Sequence, residues 1–105
     1  MQDKIDDVSL VLKANVYFDG KVVSHNILFR DGSKKTIGLI YPGTYLFTTA
    51  APERMDIIAG QCRYKLQESG EWVRCSAGNG FDVPGNSSFE IAADSSIVEY
   101  LCSYK

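Results

Sequence analysis

Turn signals cut this chain into short β-prone runs at nearly regular intervals. Asp19-Gly20, Arg30 to Ser33, Pro42-Gly43, Ala50-Ala51-Pro52, Glu68-Ser69-Gly70, Ala77 to Gly80, Pro84-Gly85 and Ala93 to Ser96 each end a run of β-branched and aromatic residues. Runs this short cannot carry the two or three turns that a packed helix needs. The spacing predicts an all-β chain of about nine short antiparallel strands, a sandwich or a small jelly-roll barrel. Residues 1–14 are open to two readings: Ile5, Val8 and Leu12 fit one helical face, while VSLVL fits a strand. The chain therefore divides into an N-terminal extension, 1–13, and a barrel domain, 14–105.

Strand phases follow from alternation. Cys62, Tyr64 and Leu66 alternate with Gln61, Arg63 and Lys65, a half-buried strand. Met55 and Ile57 share one face of the run before Gly60, and Ile37, Leu39 and Tyr41 share one face of another. Gly38, inside that second run, predicts a bulge or a close backbone approach.

Composition excludes several classes. At 105 residues, with 45% hydrophobic and 23% charged residues, the chain is one ordinary globular domain. A formal net charge of −2 leaves no basic footprint for nucleic acid. No apolar run approaches the ~20 residues that span a membrane. The acidic start, MQDKIDDVSLVL, lacks the basic opening of a secretory signal. Cys62, Cys75 and Cys102 are widely spaced, without a CxxC, which predicts free thiols in a cytoplasmic protein.

Two segments draw the eye toward a site: Gly43 to Gly60 and Gly78 to Ala92. Each joins an apolar strand to a turn rich in Gly, Pro and hydroxyl or carboxamide side chains, and the pair is expected to face one another across one pocket. Thr48, Thr49, Glu53, Arg54, Asn86, Ser87 and Ser88 collect at these strand ends. They satisfy turn backbone groups, or they aim into a pocket walled by Tyr41, Phe47, Phe81, Phe89 and Tyr100. Neither a GxSxG elbow, a P-loop nor a GxGxxG occurs.

The same segments resemble the two halves of the cupin pattern. Gly43, Glu53 and Gly60 stand where the first half has its glycines and carboxylate, and Gly78 to Pro84 where the second half begins. The histidines that would bind metal are missing from both, and the chain's single histidine is His25. No metal site and no cofactor are expected.

Four runs carry a closer resemblance: NVYFDGKV (Asn15–Val22), FTTAAPERMDIIAG (Phe47–Gly60), FDVPGNSSFEI (Phe81–Ile91) and YLCSYK (Tyr100–Lys105). Together they are similar to the pyrimidine/purine nucleoside phosphorylase family. The resemblance implies a cupin-type barrel, a homodimer in bacterial cytoplasm, and broad-range phosphorolysis: nucleoside plus inorganic phosphate gives free base plus pentose 1-phosphate. The family pattern has an acid where Ala51 stands, often a histidine where Asn86 stands, and an arginine at the position of Lys34. Asn86 can hydrogen-bond but cannot shuttle a proton near neutral pH. A non-catalytic, small-molecule-binding cupin is the alternative.

Phosphorolysis sets demands that fit residues of this chain. The phosphate dianion needs cations or several O–H and N–H donors, for which Thr48, Thr49 and either Lys34 or Arg63 are the candidates. Glu53 is the candidate acceptor from ribose hydroxyls, and Asn86 the donor to the departing base. Phe81 and Phe89 are candidates to flank the base without reading its edges.

Overall fold

The computed structural model describes residues 3–105. Its eleven strands are β1 Ser9–Leu10, β2 Asn15–Tyr17, β3 Val22–Leu28, β4 Lys34–Ile40, β5 Gly43–Thr48, β6 Glu53–Ala59, β7 Gln61–Leu66, β8 Trp72–Ser76, β9 Gly80–Val83, β10 Ser88–Ala93 and β11 Val98–Tyr104. All pairings are antiparallel. The large sheet runs β1-β3-β4-β11-β6-β9, with β2 also on β3, and the small sheet runs β5-β10-β7-β8. This is the all-β, cupin-like arrangement expected, in two facing sheets that do not merge into one closed barrel. The ambiguous N-terminal run resolves as β1, which pairs Ser9 with Leu28 and Leu10 with Ile27 at the sheet edge.

The core lies between the sheets. Ile40, Met55, Ile57, Val98 and Tyr100 point inward from the large sheet, and Tyr45, Cys62, Phe89 and Ile91 from the small one. Met55, Ile57 and Cys62 follow their alternation. In β4 the buried positions are Thr36, Gly38 and Ile40, so the Ile37–Leu39–Tyr41 face is the outer one. The reason is Gly38: a β-carbon there would stand 2.6 Å from the Val23 carbonyl oxygen and 2.8 Å from the Tyr100 ring. The close backbone approach that this glycine announced fixes the strand's phase.

The two segments expected to face one another instead run side by side. β5 pairs with β10 in the small sheet, β6 with β9 in the large one, and the corners between them cross together. The polar corner residues tie these crossings to each other. Thr49 N–H bonds the Ser87 carbonyl at 2.9 Å, Asn86 N–H the Ala50 carbonyl at 3.0 Å, and Thr49 Oγ1 donates to the Pro84 carbonyl at 2.7 Å.

Candidate functional site

A cavity of about 400 Å³ opens between the sheets, within the ~300–1,000 Å³ range of small-molecule sites. Its floor comes from β11, where the two-residue period aims Tyr100, Cys102 and Tyr104 the same way. Thr36 of β4 and Glu53 of β6 flank Cys102, because their strands pair with β11 on opposite sides: Cys102 opposes Thr36, and Tyr104 opposes Glu53. Across the opening stand Phe47 and Thr48 from β5, at the edge of the small sheet, and Phe89 from β10 beside it.

The aromatic wall is continuous. Phe18 packs on Tyr45 and Phe47 at 5.0 and 5.5 Å between ring centroids, and Phe47 stacks on Phe89 at 5.5 Å. Behind it Phe81 meets Phe89 edge-on at 5.8 Å and stacks on Tyr64 at 3.8 Å. Phe18 has a φ of 53°, an uncommon backbone for a bulky residue, held here by these ring contacts.

Among the described residues, Glu53 is the one ionisable carboxylate lining this cavity. It is half-buried, and its Oε1 accepts a hydrogen bond from the Cys102 thiol at 3.5 Å. Burial holds its pKa above the ordinary glutamate value, opposed by the Cys102 contact. No ion pair relieves it among the described residues. Arg54 points to the other face of β6, toward Asp56 and Asp82 at 3.3 and 3.2 Å, and Arg63 binds Asp94. Around it the Cys102 thiol and the Tyr100 phenol are both pushed up to about 12, chiefly by burial. Both stay protonated at any working pH. Thr36 Oγ1 and Tyr104 OH lie 3.3 Å apart, extending the polar floor.

Of the residues singled out in the sequence, Glu53, Thr48, Phe47, Phe89 and Tyr100 line the cavity, and Tyr41 does not. Lys34 sits beside it, Nζ 5.0 Å from the centre of the Tyr104 ring. Phe81 is core, directly behind Phe89. Thr49 is buried at the corner, its hydroxyl given to Pro84. Asn86 is exposed on the neighbouring corner, in the left-handed region at φ 50°. Arg63 lies on the outer face of the small sheet, paired bidentately with Asp94 at 2.9 and 2.7 Å and set over Trp72. Sequence reading missed Ser24, Thr36, Cys102 and Tyr104 as lining residues. The alternation within YLCSYK carried the signal for the last two, whereas Ser24 and Thr36 depended on a strand phase that only Gly38 reveals. Among the described residues, no three His, Cys, Asp or Glu side chains converge as metal ligands.

Residues 12–104 match the pyrimidine/purine nucleoside phosphorylase family. The chain belongs to that family. It is 52% identical over 101 residues to the pyrimidine/purine nucleoside phosphorylase of Cupriavidus pinatubonensis, covering 96% of this chain and 95% of that one. It superposes with a TM-score of 0.94 on a crystal structure from Acinetobacter sp. ADP1, a protein of unknown function, at 44% identity, covering 97% of this chain and 98% of that one. Clostridium difficile EutQ shares the fold alone, with a TM-score of 0.66 at 16% identity over 79% of this chain and 67% of that one. The floor of its cavity is built of hydroxyl, thiol and carboxyl groups.

Proposed function

We propose that this chain catalyses phosphorolysis of both purine and pyrimidine nucleosides in the inter-sheet cavity. A phosphate oxygen bonds to C1′ of the sugar, the C1′–N bond breaks with its electron pair staying on the base nitrogen, and the base leaves with a proton. Membership of the nucleoside phosphorylase family carries this reading. The cavity supports it: aromatic rings offer stacking to any base, and few groups are placed to read base edges.

In this reading Phe47 and Phe89 take the base, and the Glu53 carboxylate accepts from ribose hydroxyls. As positive charge develops at C1′, a carboxylate in this half-buried setting attracts it more strongly than water would. Thr48 supplies a hydroxyl donor to phosphate. Lys34, resting over the Tyr104 ring, supplies the charge, since a phosphate dianion outcompetes a cation–π contact of ~1 kcal/mol. Asn86 on the adjoining corner donates to the departing base. Thr49 and Arg63, whose groups are already engaged with Pro84 and Asp94, stand outside this set.

The test is incubation with uridine or adenosine, with and without phosphate. Pentose 1-phosphate and free base from both nucleosides, only with phosphate, are expected. Equal base release in phosphate-free buffer means hydrolysis and sinks the reading, and saturable nucleoside binding without turnover leaves a binding protein instead. The family resemblance further supports a cytoplasmic homodimer. The exposed Leu10, Leu12 and Val16 along the β1–β2 edge give it apolar surface to bury, and light scattering at twice the chain mass is expected.

A further inference from the structure

We infer that Cys102 is a positioning residue for the reaction: its thiol fixes one carboxylate oxygen of Glu53 and leaves the other free to meet the sugar. This rests on the phosphorolytic reading above. Three observations carry it. The thiol reaches Glu53 Oε1 at 3.5 Å, the ordinary separation for a sulfur donor. Glu53 makes no other side-chain hydrogen bond and no ion pair among the described residues. Yet among the described residues no buried side-chain oxygen lacks a partner, so Oε2 is in contact with the open cavity. Cys102 is itself 3% exposed and lies beside Thr36 and Tyr104, so the donor stays within the cavity floor.

Among the described residues, the thiol is the one side-chain group that holds this carboxylate. From β11, Tyr100 and Tyr104 share the cavity with it; from β2, Tyr17 does. Lys34 of β4 is engaged over the Tyr104 ring. On β6 itself, Arg54 and Asp56 turn to the opposite face, where Asp82 of β9 and Lys105 join them. A lysine or arginine against Glu53 would spend the carboxylate's charge on the protein. A neutral donor orients it and leaves the charge for substrate. The cost of burial then falls on Glu53, whose pKa rises. The thiol partly offsets this, and being pushed up to about 12 it remains a donor throughout the working range.

The experiment follows the Glu53 carboxyl by carbon NMR across pH in the parent protein, Cys102→Ala and Cys102→Ser, beside the pH profile of kcat/KM. Removing the donor in Cys102→Ala is expected to raise the Glu53 titration by about half a pH unit or more, and the acidic limb of kcat/KM with it. Cys102→Ser, with a stronger O–H donor, is expected to lower both. A purely structural cysteine would lower the plateau and leave the limb in place. An unshifted Glu53 in Cys102→Ala, with phosphorolysis intact, overturns the inference alone. If that variant does not fold, an unshifted Glu53 in Cys102→Ser does the same. A shifted carboxyl in a protein that forms no pentose 1-phosphate instead overturns the phosphorolytic reading and preserves the contact.

Discussion

Tyr100 packs on the backbone of Gly38: the two residues are cross-strand partners, and the ring stands 2.8 Å from where a β-carbon would be. The missing side chain lets the ring lie in the floor of the cavity, and it turns Thr36 inward beside it. Gly38→Ala is therefore expected to destabilise the fold by ~1–3 kcal/mol, because neither the ring nor the Val23 carbonyl has room to retreat. A thermal melt should show a fall of roughly 4 °C or more. Since Tyr100 lines the cavity, kcat/KM should fall as well. A melt and turnover like the parent's would show that the contact yields at no cost.

That contact also marks how far the sequence could be read. Local signals sufficed for the strand punctuation, the buried faces of β6 and β7, and Gly38 as a close approach. The β4 phase was not legible, because three apolar residues at Ile37, Leu39 and Tyr41 outnumber Thr36 and Ile40, and only a ring from β11 reverses them. Thr49 has the chemistry of a site residue, yet its hydroxyl binds the two chain corners together, whereas Asn86 joins those corners through its backbone N–H and not its carboxamide. Glu53 was legible by its place in the cupin pattern. Its thiol partner was not, since Cys102 lies 49 residues further along.

The cysteines give a second prediction. All three are free and buried, and Cys62 directly opposes Cys75 across β7 and β8. Burial is the largest cause that raises each thiol, with Cys62 pushed up to about 12. Thiolate, the reactive form, is scarce, so native protein at pH 8 should react slowly with a thiol reagent. Unfolding without reductant should release all three. A count of one would point to a Cys62–Cys75 disulfide, the pair that the strand register brings opposite.

Lys34 and Arg63 separate by kinetics. Lys34→Gln is expected to raise KM for phosphate by about 10-fold, the loss of ~1.4 kcal/mol of charge-assisted binding, with KM for nucleoside nearly unchanged. Arg63→Gln breaks a pair with Asp94 on the outer face and should leave both values near the parent's. An exposed pair of this kind is worth at most ~1 kcal/mol to stability. The reverse result would move the phosphate site to the outer face of the small sheet.

Glu53 itself supplies the sharpest test, because stability and activity should move in opposite directions on one substitution. Its folded-state pKa is raised above the ordinary 4.5, chiefly by burial. The folded protein therefore binds the Glu53 proton more tightly than the unfolded chain does. Glu53 favours folding below pH 4.5, and that contribution is lost as pH rises through 4.5 to its folded pKa. Above that window the ionised carboxylate is a net burden on the fold. Glu53→Gln removes the charge, keeps the size and still accepts from the Cys102 thiol, so at pH 7 to 8 the variant should melt no lower than the parent. The window of pH-dependent stability just above pH 4.5 should shrink. Activity should fall the other way: kcat/KM drops about 10-fold or more on both uridine and adenosine, ~1.4 kcal/mol of transition-state stabilisation. A loss confined to one nucleoside would place Glu53 against the base instead of the sugar. Turnover like the parent's on both, with the melt unchanged, would remove Glu53 from the site and Cys102 with it.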